Sequence, residues 1–234
     1  PNVTLEWSVR RARLLNAHFE ENTKLRNEAW LHVLSQDSSN NEGLSQLKTI
    51  AYSTHEFDTL LKWLRIKQRE SSGALLRDTN SEIGAILARL GDPGAIIDHW
   101  DSVLAQDSDW PTAQWSLFAA LSANSELKTT LGKRLVDDSA ENLARVEWGQ
   151  LADYFQTVPA ETEYAIKALK LEWSDSGPDR EKGAVLSELL RQSGRMLEHG
   201  ELELQIGERF SDGDAYRRAS QAFLEAKDVL RAVE

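Results

Sequence analysis

IGAILARLGDPGAIIDHWDSVLAQDSD, residues 83–109, decides how the whole chain is read. Its first half carries Ile83, Ile86, Leu87 and Leu90, and its second half Ile96, Ile97, Trp100, Val103 and Leu104. Spacings of three and four give each half one apolar stripe on a helix of 3.6 residues per turn. Gly91-Asp92-Pro93-Gly94 lies between them. Glycine has the conformational freedom to end the first helix, and proline disfavours its continuation. The stretch predicts two antiparallel helices joined by a tight turn.

The second helix has a relative elsewhere in the chain. WDSVLAQDSD (100–109) agrees with WLHVLSQDSS (30–39) at six of ten positions. Half of the distance between them, about 35 residues, falls within the roughly 20–50-residue periods of repeat proteins. Between them, LLKWLRIKQRES (60–71) is another amphipathic segment, with Leu64 standing one such period after Trp30. Carried both ways, the frame places equivalent positions at Leu47, Ile83, Leu117, Leu151, Leu186 and about Arg218, spaced by 36, 34, 34, 35 and 32. Ala51, Leu87, Leu121, Phe155, Leu190 and Ala222 follow four residues on. In the first unit Leu14, Leu15 and Phe19 precede a helix with Leu25, Ala29, Trp30, Val33 and Leu34. Prolines 93, 111, 159 and 178 fall at expected turns or helix starts, where a missing N–H does no harm.

The unit at 83–109 resembles a tetratricopeptide repeat (TPR), a helix–turn–helix of about 34 residues. Ile83 and Gly84 match its large/small pair and Leu87 the next apolar position. Gly91-Asp92 match its turn, and Ile96, Trp100 and Val103 its second helix. The usual proline at the end of that helix is replaced by Asp107-Ser108, with Pro111 opening the next helix. The resemblance implies an all-α fold, a right-handed α-α superhelix of six to seven hairpins forming a single domain over 1–234. The hairpins are expected near 3–37, 41–70, 74–107, 111–138, 142–175, 180–209 and 213–234. FLEAKDVLRAVE ends in mid-helix pattern without a polar cap, which predicts a segment of a longer repeat protein.

Composition agrees with helix and excludes several functions. The 234 residues are 41% hydrophobic and 28% charged, with only 5 prolines, so the chain is globular and rich in helix formers. A net charge of −11 argues against nucleic-acid binding. The basic clusters Arg10/Arg11/Arg13 and Lys62/Arg65/Lys67/Arg69 read as solvated helix faces. No apolar run is long enough for a membrane span. The absence of cysteine removes disulfides and thiolate chemistry, and leaves periplasm and cytoplasm equally open.

No catalytic, cofactor or metal constellation stands out. Asp137-Asp138-Ser139-Ala140-Glu141 has a spacing that can hold Mg²⁺ and a diphosphate. The better reading is a linker between two hairpins, with Asp or Ser capping the next helix. His18, His32, His55, His99 and His199 show no metal-ligand spacing, and His99 is expected to be half-exposed on its helix. Trp30, Trp63 and Trp100 are expected to wedge neighbouring hairpins together. Trp115, two residues before Leu117, occupies a first-helix position that in TPR arrays often faces a concave groove. By the same frame Tyr52, Arg89, Asp153, Gln156 and Arg191 would line it. The basic clamp of peptide-carboxylate-binding TPRs is not present as a set.

The reading is therefore a non-catalytic protein–protein interaction scaffold presenting a helical groove within a larger assembly. Similar divergent arrays in bacteria serve envelope assembly, polysaccharide export and regulatory complexes. The expected partner is a protein, a peptide or helix of basic or amphipathic character given the acidic balance. No cofactor, nucleic acid or membrane insertion is expected, and homo-oligomerisation stays open. The alternative is an all-α enzyme or ligand-binding regulator using acidic residues in a helical groove.

Overall fold

The computed structural model describes residues 3–123, 125–138, 145–176, 179–228 and 231–232. Among them are thirteen α-helices, one 3-10 turn and no strand. The chain divides into two compact units, Pro1–Gln106 and Asp107–Glu234.

The first unit holds α1 (Val3–His18), α2 (Thr23–Gln36), α3 (Asn41–Thr54), α4 (Asp58–Glu70), α5 (Gly73–Leu90) and α6 (Pro93–Leu104), each packed on the next. Polar residues set the helix starts. Asn22 accepts from Leu25 N at 3.0 Å, Asn40 from Gly43 N at 2.8 Å and Asp92 from Ala95 N at 3.1 Å, each satisfying an otherwise orphaned donor. Pro93 occupies the first turn of α6, where no N–H is needed. Gly91 ends α5 at φ 68°, its N–H returning to Leu87 and Ala88 O. One core runs through the unit, built on Trp30, Val33, Leu34, Leu47, Ile50, Trp63, Leu64, Ile83 and Leu87. The two matching decapeptides end α2 and α6, with Trp30, Val33, Trp100 and Val103 buried.

Gly84 explains the large/small pair. A Cβ there would collide with the Trp100 indole, so α5 and α6 pack at a distance only glycine permits. Expectations fail at four residues in this unit. Leu14 and Phe19 are 61% and 51% exposed, because α1 packs through Leu5, Val9 and Ala12 instead. Leu90 is also exposed, at the C-terminal end of α5. His99 is buried, not half-exposed, because its Nε2 lies 3.0 Å from Asn80 O and ties α6 to α5.

The second unit holds α7 (Pro111–Ala120), α8 (Glu126–Asp138), α9 (Arg145–Gln156), a 3-10 turn at Pro159–Glu161, α10 (Thr162–Ser176), α11 (Arg180–Gln192), α12 (Met196–Phe210) and α13 (Gly213–Glu225). Leu117, Leu151 and Leu186 are buried as the frame requires. At the last position the register shifts by one: Arg218 is half-exposed and Ala219 is buried, since α13 turns Ala215, Ala219, Ala222 and Phe223 inward. Leu121 is only half-buried because α7 stops at Ala120. In α8 Leu131 and Leu135 face the core while Leu127 is exposed. Asp137 and Asp138 belong to the last turn of α8, whereas residues 139–144 and Pro178 lie outside the described ones.

Candidate functional site

Within the second unit, α11, α12 and α13 enclose a pocket of about 420 Å³, inside the roughly 300–1,000 Å³ range of ligand sites. Helical spacing supplies its walls. Ser187, Glu188 and Arg191 share a face of α11, while His199 and Glu203 stand one turn apart on α12. Arg218 and Glu225 come from α13. The floor is buried: Ser187, His199 and Glu203 are 5%, 6% and 2% exposed.

The floor is a directed hydrogen-bond chain. Glu203, as a carboxylate, only accepts, so Ser187 Oγ donates to its Oε1 at 2.5 Å. The His199 Nδ1 lies 3.1 Å from the same Oγ and must then be the donor to it. Arg218 Nη2 pairs with the other oxygen of Glu203 at 2.9 Å. At the rim Arg191 makes a fork to Glu188, at 2.9 and 2.6 Å. These two charge-assisted bonds, with one from Gln192, hold Glu188 down at about 2.

Burial pushes the His199 pKa down against the raising effect of Glu203, and burial lowers His99 in the same way. Unfolding returns both rings to the ordinary value near about 6.5. Below that pH the unfolded chain binds more protons than the folded one, so stability falls as pH drops through about 6.5 and levels off under the folded values. We expect a lower Tm by circular dichroism at pH 5.5 than at pH 7.5. A His99→Gln/His199→Asn double variant, which keeps a donor in reach of Asn80 O and Ser187 Oγ, should flatten that difference.

The residues singled out from the sequence fall in several places. Tyr52 and Arg89, on α3 and α5, meet: the guanidinium carbon lies 5.0 Å from the ring centroid, and Phe57 packs edge-on at 5.3 Å. Trp115 is half-buried and stacked on Phe118 at 5.4 Å, with Phe118 in turn edge-on to Tyr154. Asp153 pairs with Lys182 at 3.3 Å, and Gln156 donates to Ala152 O in its own helix. Only Arg191 of these lines the α11–α13 pocket. Asp137, first of the acidic run, accepts from Lys167 at 2.9 Å and Tyr164 at 3.0 Å, and those bonds lower its pKa. Among the described residues no group of three His, Cys, Asp or Glu could hold a metal ion. Ser187, His199 and Glu203 were not visible as a set in the sequence. His199 and Glu203 at i,i+4 match no motif, and Ser187 lies on another helix.

Polar bridges within each unit recur at one-hairpin intervals. First helices are joined by Arg13–Glu42 at 2.7 and 2.6 Å, Asn16–Gln46 at 2.8 Å, Lys48–Glu82 at 2.6 Å and Lys182–Asp153. Second helices are joined by Lys167–Asp137, Arg195–Glu163 at 2.8 Å and Trp173–Gln205 at 3.0 Å. Apart from Lys48–Glu82, the partners are separated by 29 to 32 positions, as stacked copies of one unit require. Both units are stacks of antiparallel helix hairpins. No protein-family profile matches the sequence, and no curated protein matches it. Among solved structures, a tetratricopeptide repeat protein from Parabacteroides merdae superposes with a TM-score of 0.47 at 10% identity, covering 99% of this chain and 90% of that one. PilW, a type IV pilus biogenesis factor, gives 0.41 at 16% identity over 92% and 97% of the two chains. The TPR2AB domain of yeast Sti1, in its complex with pHSP90, gives 0.39 at 15% identity over 100% and 88%.

Proposed function

We propose that this chain is a non-catalytic protein–protein interaction scaffold, and that the α11–α13 pocket receives a segment of its partner. The supporting observation is the pocket itself: an open cavity between successive first helices, floored by buried polar groups and rimmed by charged ones. Stacked hairpins consume their apolar stripes against each other and leave such inter-helix clefts for ligands. We propose further that both units belong to one array over 1–234. Ile83 and Leu117 stand one repeat period apart across the boundary at Gln106, as equivalent positions do within each unit. Tyr52, Arg89, Trp115, Asp153 and Gln156 would add partner contacts along the first helices, with Arg191 at the pocket.

A random-peptide display selection against the purified chain tests the proposal. Enriched peptides should bind in a fluorescence-anisotropy assay and lose about tenfold in affinity, about 1.4 kcal/mol, on Ala184→Trp, which fills the pocket from the exposed side of α11. Glu208→Lys, on the exposed face of α12, should leave binding within about twofold. No enrichment, or binding indifferent to Ala184→Trp, would speak against the scaffold reading of this pocket.

A further inference from the structure

On the pocket floor His199 Nε2 has no hydrogen-bond partner among the described residues, and Glu203 Oε2 is met only by the Arg218 ion pair. Ser187 gives its proton to Glu203 and takes one from His199 Nδ1, so the neutral ring presents its Nε2 as a bare lone pair. No described residue bonds that nitrogen, although His199 is only 6% exposed and lines the cavity. A ligand that satisfies it must donate a hydrogen bond.

Charge points the same way. Glu188, Glu203 and Glu225 face Arg191 and Arg218 in the pocket, so one carboxylate is in excess. Glu188 is taken by Arg191 and Glu203 by Arg218, whereas among the described residues Glu225 has no ion-pair partner and accepts from the neutral Gln221, at 2.9 Å. A group that donates hydrogen bonds and carries positive charge completes both deficits.

We infer that the α11–α13 pocket binds an arginine or lysine side chain presented by a partner protein, with His199 Nε2 and the Glu225 carboxylate as its acceptors. The inference rests on the scaffold reading and adds the chemistry of the anchor. A guanidinium suits it best, since its planar array of donors can reach two acceptors from one side chain. Arg191 and Arg218 stay on their own carboxylates, so the pocket's excess negative charge rests on Glu225.

The test uses the full chain and N-acetyl-arginine methylamide, its uncharged citrulline counterpart and N-acetyl-aspartate methylamide, with histidine ring nitrogens followed by NMR. The free protein should show His199 as the Nδ1–H tautomer, and the arginine probe should shift its Nε2 resonance. Glu225→Gln should weaken that binding about fivefold, the upper range for one exposed ion pair. His199→Phe should weaken it more while circular dichroism reports an unchanged fold. If His199→Phe unfolds the chain, the NMR tautomer and the Glu225→Gln titration carry the test alone. An Nε2–H tautomer, citrulline binding as well as arginine, or preferential binding of the aspartate probe would each overturn the inference. Spermidine binding as tightly as an arginine-containing hexapeptide would overturn the assignment to a partner side chain. Display peptides enriched without basic residues would sink the inference and leave the scaffold reading standing. Absence of any enriched peptide beside a clear arginine response would do the reverse.

Discussion

Trp30→Ala is expected to cost the first unit about 3–5 kcal/mol, the usual range for emptying a buried aromatic site. Trp30 is 1% exposed and sits in the core formed with Leu34, Leu47 and Ile50. Neighbouring helices cannot close the resulting space, because each is held on its other face by the next hairpin. The indole N–H makes the series informative. It is buried with no hydrogen-bond partner among the described residues, a state that costs about 1–3 kcal/mol. Trp30→Phe keeps much of the ring and removes that donor, so it should cost under about 1.5 kcal/mol. Urea unfolding followed by far-ultraviolet circular dichroism separates the two. Equal losses for Ala and Phe would mean that the indole N–H makes a favourable contact and that ring packing sets little of the cost.

Gly84→Val is the second large effect, arising from overpacking. The indole carbons of Trp100 occupy the space a Cβ needs, and Trp100 is itself 4% exposed with no room to withdraw. Forcing α5 from α6 should cost about 3 kcal/mol or more, at or above the upper end for inserted core atoms. Gly84→Val combined with Trp100→Leu should recover a large part of the loss, since the two sites share one volume. Gly91→Ala provides the contrast. Nothing lies within 4 Å of a Cβ there, but φ is 68°, so backbone strain of about 1–2 kcal/mol is the whole effect. If Gly84→Val proved no worse than Gly91→Ala, the tight α5–α6 contact would be wrong.

The same two glycines show what could be read from residues alone. Gly91-Asp92-Pro93 specifies its turn locally, through a left-handed exit, an Asp cap and a proline in the first helical turn. Gly84 was readable as the small partner of Ile83, but the identity of what fills its space was not. Apolar residues overstated burial where no helix covers them: Leu14 on α1 and Phe19 just past its end stand exposed. The pocket was legible only through Arg191. His199 and Glu203 look like any solvated pair one turn apart, and α11 and α13, each packed on α12, make them buried.

By itself, then, the sequence determined what short-range chemistry governs: helix content, the Gly91-Asp92-Pro93 turn and a period near 35. These depend on backbone freedom and on apolar spacing within about one turn. Tertiary structure alone decided which polar residues lose their water. Desolvation of Ser187, His199 and Glu203 arises from three helices meeting, and the shared proton order that turns His199 Nε2 toward the pocket without a described protein partner exists only once they are side by side. Burial is a property of neighbours distant in the chain, and no spacing rule within one helix encodes it.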